Sequence, residues 1–479
     1  MLRIRLFSAS FSVALLCSWA CSEEEPSLGR DIGNPSDLGG DDAGGGDMSE
    51  CTPMPEVCDG LDNDCSGQPD DGLDCGQWSG DGSDGEQTIE QTVDLDDDPR
   101  PEGSDGFGVS YRISSIEGDL VTVGDPARGL APGDEVLLIS LRGTSDDFAT
   151  VGAFETRFVD SVDEREVTLR NPVEGVYGLD GGNADLQGQS VMLQRIPHFL
   201  RLEVTDGGVV TSRAFDGGRG GVVFVRTQEL EIQAGGRIDM SHRGFRATNV
   251  AANGRMGRTG ESISGQPEAV EGQAPLANSG AGQGGTSDCD VFNCTTQTIG
   301  AGGGGASYGS QGMAGEDNGD RHVGGSPGAL YGEVGLERLY LGSAGGSGAG
   351  GVSGPGTSTL GGNGGGMVVI VADDVVVNGL LTVDGQIGVV NDNCGGRGGG
   401  GGGGGSGGTI WLSANVLQVA ADALSAVGGG AQCNGGGPGG DGRIRIDASA
   451  VNGSSYGTPE AQTAIDAAST PDPGAFNDR

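Results

Sequence analysis

No lysine occurs in the 479 residues, so all 26 basic side chains are arginine. That absence removes the phosphate-gripping lysine of a P-loop, kinase-type phosphate pairing and Schiff-base chemistry together. Histidine is almost as scarce: His198, His242 and His322 are the whole set, and none has a partner at metal-ligand spacing. Aromatic residues make up 4% of the chain, too few for a large core, so folded parts must gather stability over many short strands. No apolar run is long enough to span a bilayer, and no long helical periodicity follows the first twenty residues.

Glycine and carboxylates fill the gap. Glycine accounts for 100 residues and Asp plus Glu for 68, giving a formal net charge of −42. Nucleic-acid binding is excluded on charge, because phosphate neutralisation needs clustered Lys or Arg. The same charge favours cations and keeps the chain solvated. Glycine abundance also makes motif matches cheap. Gly324-Gly325-Ser326-Pro327-Gly328 fits the nucleophile elbow Gly-x-Ser-x-Gly, yet Pro327 lacks the N–H an oxyanion hole needs there. Gly404-Gly405-Ser406-Gly407-Gly408 lies in a polyglycine run, and both matches are read as chance. No carboxylate pair stands out among so many, so no catalytic residue is assigned.

The N-terminus reads as an export signal. Arg3 and Arg5 precede a short apolar stretch from Leu6 to Leu16, and Ser18-Trp19-Ala20-Cys21 resembles a bacterial lipobox. Lipidation of Cys21 is the favoured reading, because the cysteine sits directly behind the apolar stretch and an acidic tether follows. Ordinary cleavage nearby, leaving Cys21 as a thiol or disulfide partner, is the competing one. By analogy with lipoprotein sorting, Ser22 rather than Asp implies the outer membrane. With Cys17 and Cys21 set aside, eight cysteines remain: Cys51, Cys58, Cys65, Cys75, Cys289, Cys294, Cys394 and Cys433. In an exported chain they are disulfide candidates. Cys289–Cys294 and Cys394–Cys433 are the expected pairs, and connectivity among the first four is left open.

Residues 22–105 are dense in carboxylates, with only Arg30 and Arg100 as cations. Most of this stretch reads as solvated tether. The exception is Cys58-Asp59-Gly60-Leu61-Asp62-Asn63-Asp64-Cys65-Ser66-Gly67, followed by Asp70, Asp71 and Cys75. Against a calcium loop, Asp62, Asp64 and Ser66 take positions 1, 3 and 5, Gly67 the turn position, and Asp70 position 9. Leu73 stands where a bidentate Glu would close the site, so weak calcium binding is expected. Hard oxygen donors without histidine favour calcium over copper. A disulfide-stapled acidic turn without metal is the bland alternative. The string is similar to the short cysteine-bracketed metal-binding motif of myxobacterial and other deltaproteobacterial surface proteins, some of which also resemble copper-binding surface proteins. That resemblance implies a surface lipoprotein and adds Asp71, where the family usually has Glu, to the ligand set.

From about residue 106 the texture turns to short apolar alternations. Beyond 205 an internal repeat emerges: Gly221-Val222-Val223-Phe224-Val225, Gly366-Met367-Val368-Val369-Ile370, Gly408-Thr409-Ile410-Trp411-Leu412 and a partial copy at Gly442-Arg443-Ile444-Arg445-Ile446. Each unit needs stacked neighbours to bury its face. The glycine tracts between units read either as disordered loops or as extended threefold helices packed backbone to backbone. The region resembles glycine-rich β domains of deltaproteobacterial surface proteins and, less closely, the glycine-rich extracellular domain of certain animal receptor tyrosine kinases.

The expected fold is all-β: a short-stranded, glycine-rich, β-solenoid-like repeat, with a jelly-roll or β-sandwich carrying polyglycine helices as the alternative. The expected organisation is a signal at 1–20, a disordered acidic tether at 21–50 and the metal motif at 51–75. An acidic linker at 76–105, a β domain at 106–204, the repeat region at 205–450 and a disordered tail at 451–479 follow. The expected function is a non-enzymatic surface lipoprotein, structural, adhesive or ligand-binding, on a calcium-stiffened stalk. It has no organic cofactor, and its partners are the membrane through its lipid and an extracellular polysaccharide or another surface protein. The alternatives are a polysaccharide-binding or polysaccharide-degrading protein on the same scaffold, and a metal scavenger. Trp411, inside an alternating strand, reads as a packing residue, His198 as a strand-end residue, and His242 as a turn that could border a binding edge.

Overall fold

The structure, a computed structural model, describes residues 78–100, 105–178, 181–186, 188–247, 257–265, 280–286, 300–317, 323–349, 359–389, 400–431, 435–452 and 455–456. Among them are eighteen strands and no helix. β1 (Glu86–Ile89) and β2 (Thr92–Asp94) open a parallel solenoid. The chain then departs to build a closed antiparallel barrel from β3 (Ser110–Glu117), β4 (Leu120–Val123), β5 (Glu135–Arg142), β6 (Phe154–Asp163), β7 (Glu166–Leu169) and β8 (Ser190–Arg195). It returns at β9 (His198–Val204) and β10 (Val209–Thr211), then adds β11 (Val222–Ile232) with β12 (Arg237–Asp239) and β13 (Met367–Val377) with β14 (Leu380–Thr382). β15 (Thr409–Val419) with β16 (Ala421–Ser425) and β17 (Arg443–Asn452) with β18 (Ser455–Tyr456) complete it.

Each rung is thus one long strand and one short strand. The long strands stack in the order β1-β9-β11-β13-β15-β17, the short ones in the order β18-β16-β14-β12-β10-β2. All pairings in both sheets are parallel, which is the solenoid arrangement rather than the sandwich. The repeats seen in the sequence are the rungs. Val223 pairs with Val368, Val368 with Ile410 and Ile410 with Ile444. These residues form columns in the interior together with Leu230, Val375, Leu417 and, from the short strands, Ile238, Leu381 and Leu424. In-register stacking lets β-branched side chains pack on a pleated surface.

The first halves of β11, β13 and β15 are buried on both faces, the second halves mainly on alternate residues. The difference is the barrel and the neighbouring loops, which cover the outer face of the first halves. Phe224, Val369 and Trp411 point outward there and pack with Leu137, Ile139 and Phe154 of the barrel. β5 is buried at all eight positions for the same reason. Its Val136 and Leu138 fill the barrel while Leu137, Ile139 and Leu141 face the solenoid. Trp411 is a packing residue, 2% exposed and edge-on to Phe154.

Three boundaries differ from the sequence reading. Residues 78–100, inside the expected acidic linker, contribute β1 and β2 to the solenoid. Their hydrophobic contribution to the solenoid core is Ile89, Val93 and Leu95, and the surrounding carboxylates hide so short a pattern. The β domain expected at 106–204 is the barrel alone, ending at Arg195, because β9 pairs with β11. The barrel is therefore an insertion between the first and second rungs. At the other end, β17 and β18 carry the solenoid past 450 to Tyr456.

The described glycine tracts are ordered as threefold extended helices. At the centre lies the tract 400–408. Gly403 and Ser406 donate to the carbonyls of Gly346 and Ser343 (2.8 and 2.9 Å), Gly404 and Gly407 to Gly437 and Gly440 (2.9 and 3.0 Å), and Gly405 and Gly408 to Gln386 and Val383 (2.9 and 2.8 Å). Its own carbonyls accept from Gly303 and Ala306, from Gly362 and Gly365, and from Gly429. Bonds to each neighbour recur every third residue, and six tracts ring the central one. A Cβ added at Gly402, Gly403, Gly404, Gly405 or Gly408 would lie 1.8–2.0 Å from a backbone oxygen of a neighbouring tract. None of these five glycines has positive φ. Glycine is needed here for close approach rather than for an unusual backbone, as at the axis of collagen.

Candidate functional site

The residues singled out from the sequence as ligands or anchors lie outside the described residues: Cys21, Asp62, Asp64, Ser66, Asp70, Asp71 and the eight cysteine candidates. Among the described residues no group of three or more His, Cys, Asp and Glu side chains is arranged to hold a metal ion. Two polar constellations among the described residues bear on function, one buried and one open.

The buried one joins the segment before β1, the barrel and the solenoid. Glu135 of β5 accepts from Arg226 Nε and Nη2 (2.6 and 2.8 Å) and lies 2.6 Å from His198 Nε2. His198 Nδ1 lies 3.0 Å from Asp81, and Arg226 also donates to the Trp78 carbonyl. Beside it Arg195 holds both oxygens of Asp84 at 3.0 Å and Asp134 at 2.7 Å. Burial alone would lower the His198 pKa, but its hydrogen bonds to Asp81 and Glu135 outweigh this and raise it to about 9. For Glu135 burial works upward, and the Arg226 and His198 charges overcome it, holding the carboxyl well below its usual range. Asp81, likewise resisted by burial, falls to about 2 under its bond to His198. These groups are consumed by one another, so the constellation is a clamp. His198, at the first position of β9, is the strand-end residue the sequence suggested.

The open one lies on the outer face of the short sheet. Within each short strand the middle residue (Val93, Val210, Ile238, Leu381) turns inward, so its neighbours turn out. Asp94, Thr211, Asp239, Thr382 and Ser425 consequently form a ladder across β2, β10, β12, β14 and β16. Thr211 Oγ1 donates to the Asp239 carbonyl (2.7 Å), and Thr382 Oγ1 donates to Asp239 Oδ1 (3.1 Å). One step on, Ser425 Oγ and the Val427 N–H donate to Asp384 Oδ1 at 2.7 and 2.8 Å. Beside the ladder is a cavity of ≈230 Å³ lined by Thr211, Arg237, Asp239, Ser241, His242 and Arg243 among others.

His242 sits there with φ 63°, held by its N–H to the Asp384 carbonyl at 2.8 Å. That left-handed backbone is uncommon for a residue with a side chain, although histidine tolerates it better than most. Burial raises the pKa of Asp384, and the nearby Asp239 charge adds to the rise. Asp94 is also raised, by burial first and then by Asp97, against the pull of Arg243. The face thus presents hydroxyls, carboxylates and guanidinium groups along the solenoid axis, all half-buried or exposed except Thr211, which is buried. Of these residues only His242 is marked by the sequence. A signal for the others existed: each repeat places Asp, Thr or Ser directly after an apolar residue at the end of its short strand.

No family model and no curated protein matches the chain. Solved structures similar to part of it include the Pseudomonas phage phi297 tailspike gp61, 22% identical, with 32% of each chain covered and a TM-score of 0.15. The tailspike gp49 of Pseudomonas phage LKA1 is 16% identical over 28% of this chain and 24% of its own, with a TM-score of 0.14. The gp54 tailspike of Acinetobacter baumannii bacteriophage AP22, solved in complex with an A. baumannii capsular saccharide, is 14% identical over 32% and 29%, with a TM-score of 0.15. The chain spans about a third or less of the length of each tailspike it matches.

Proposed function

We propose that this chain is a rigid, non-enzymatic display module of the cell surface, held to the outer membrane through Cys21, that takes a saccharide on the outer face of its short sheet. The observation that supports it best is the in-register ladder of Asp94, Thr211, Asp239, Thr382 and Ser425 beside the cavity of Arg237, His242 and Arg243. Successive strands lie about 4.8 Å apart, close to the length of one pyranose unit, so each rung can meet one sugar of an extended chain. Hydroxyls that donate and accept match a wall that also does both. The interlocked solenoid, barrel and glycine bundle suit a scaffold whose binding face must stay fixed. The calcium loop at 62–71 would stiffen the stalk.

The test is a glycan array probed with the full-length mature protein, followed by affinity measurements on Arg243→Gln and Asp239→Asn. Binding to at least one glycan, weakened about tenfold in each variant at unchanged melting temperature, is expected. Absence of binding to every glycan would refute it.

A second reading, polysaccharide cleavage at the same face, is favoured by one observation. Burial and the neighbouring Asp239 charge both raise the pKa of Asp384, the direction a general acid needs. Release of reducing ends from a bound glycan, abolished in Asp384→Asn, would establish this reading in place of the first.

A further inference from the structure

We infer that a second subsite on the barrel side continues the ladder groove, so that one extended, hydroxyl-rich saccharide chain of low charge runs from the short sheet onto the rim of the inserted barrel. This rests on the saccharide reading above and adds the length and charge of the ligand.

A second groove, of ≈320 Å³, lies at the junction and is lined by Asp96, Tyr111, Asp125, Arg128, Arg213 and Arg219 among others. It adjoins the first through the β2–β10 pair. Asp94 and Thr211 are register partners on the ladder, and Asp96 and Arg213 stand two residues further along the same two segments. Arg213 Nε reaches Asp96 at 3.3 Å and its other nitrogen pairs with Asp97, so the two segments are tied together between the grooves. The Asp94 carboxyl is close enough to respond both to Arg243 of the first groove and to Asp97 beside the second.

The second groove is also built. Asp96 is buried and accepts from the Ser110 N–H at 3.0 Å, which fixes the start of β3 against the solenoid. The Arg219 guanidinium lies 5.9 Å above the Tyr111 ring and donates to the Ser110 carbonyl, and the Tyr111 hydroxyl donates to the Arg128 carbonyl. On this fixed floor Asp125 and Arg128 are exposed, one an acceptor and one a donor. The two grooves together place Arg128, Arg213, Arg219, Arg237 and Arg243 among Asp96, Asp97, Asp105, Asp125 and Asp239. Cations and carboxylates alternate in near balance. A polyanion would find no net positive charge along such a track, in a chain of net charge −42. An uncharged sugar chain would meet donors and acceptors in turn.

The test uses the full-length mature protein with a panel of a soluble linear glucan, a linear polyuronate and a sulfated glycan, each as polymer and as short oligomer. The expected result is a neutral polymer bound more tightly than its own short oligomer. Arg128→Gln and Asp125→Asn, both surface changes, should each lower polymer affinity about tenfold and shrink the gap between polymer and oligomer. Polymer binding that neither variant alters, while Arg243→Gln still weakens it, would overturn the second subsite and leave the first groove standing. Tighter binding of the polyuronate or sulfated polymer would overturn the charge assignment. Failure of every polymer and oligomer to bind would remove the saccharide reading itself.

Discussion

Replacing Gly403 by alanine tests whether the glycine tracts form a packed solid or merely fill space. A Cβ at this position would stand 1.9 Å from the Gly304 carbonyl oxygen and 2.4 Å from its carbon. An ordinary contact is about 3.5 Å, so the two tracts must part by more than 1 Å. The obstacle is backbone, which has no rotamer to change. Parting them also strains the Gly303 N–H bond to Gly401 and the Ala306 N–H bond to Gly404, both 2.9 Å. Overpacking costs about 1–3 kcal/mol in ordinary cores, and two weakened buried hydrogen bonds add about 1 kcal/mol each. A loss of about 3–5 kcal/mol is therefore expected. Gly430→Ala is the matched control, because a Cβ at Gly430 meets nothing within 4 Å. That change should be neutral, or stabilising by up to about 1 kcal/mol through the unfolded state. Urea denaturation of the full-length protein followed by intrinsic fluorescence reads both. Equal midpoints for Gly403→Ala, Gly430→Ala and the parent would refute the packed-helix description, since a disordered tract does not distinguish them.

The clamp sets a pH dependence. His198 is raised to about 9, so its contribution is complete below its ordinary pKa of 6.5 and is lost as pH rises through about 9, a fall of about 3 kcal/mol. Asp81, lowered to about 2, contributes fully above its ordinary 3.8 and loses it as pH falls toward 2. Denaturation midpoints should therefore plateau between about pH 4 and 6.5, and His198→Gln should flatten the alkaline decline; an unchanged decline would contradict the assignment. Glu135→Ala leaves the buried Arg226 and His198 without their shared carboxylate and should cost about 3–5 kcal/mol, whereas a loss below 1 kcal/mol by urea titration would show the clamp to be dispensable. Calcium titrated into the full-length protein should bind weakly through the 62–71 loop, and Asp62→Asn with Asp64→Asn should abolish the calorimetric signal. Copper binding retained in that double variant would move the metal elsewhere.

Much of the architecture was legible because the repeat is periodic. The glycine pair before Val222, Met367 and Thr409 and the alternation after it define both the strand and its register with the next rung. The all-β class and the repeat follow from those positions, while the parallel pairing of the rungs decides for the solenoid over the sandwich. Two things were hidden for physical reasons. β1 and β2 carry only Ile89 and Val93 toward the core, and such brief alternation cannot stand out among carboxylates. The barrel insertion was invisible because β8 and β9 are separated by only Ile196 and Pro197, so nothing in composition marks the passage from barrel to solenoid. The order of the glycine tracts could not be decided from composition, since the same residues suit a flexible loop and a close-packed helix. What decides it is the set of neighbours, which comes from rungs far apart in sequence. The ladder on the short sheet is hidden for a different reason: single Asp, Thr and Ser residues at strand ends are ordinary in sequence, and only the register of the rungs lines them up.

Hydrogen–deuterium exchange of the full-length protein, with and without the tightest-binding glycan, tests the saccharide face most directly. Added protection should concentrate at Thr92–Asp94, Val209–Thr211 and Arg237–Arg243. Protection confined to the glycine tracts or to the barrel strands away from the junction, with none on the short sheet, would contradict it.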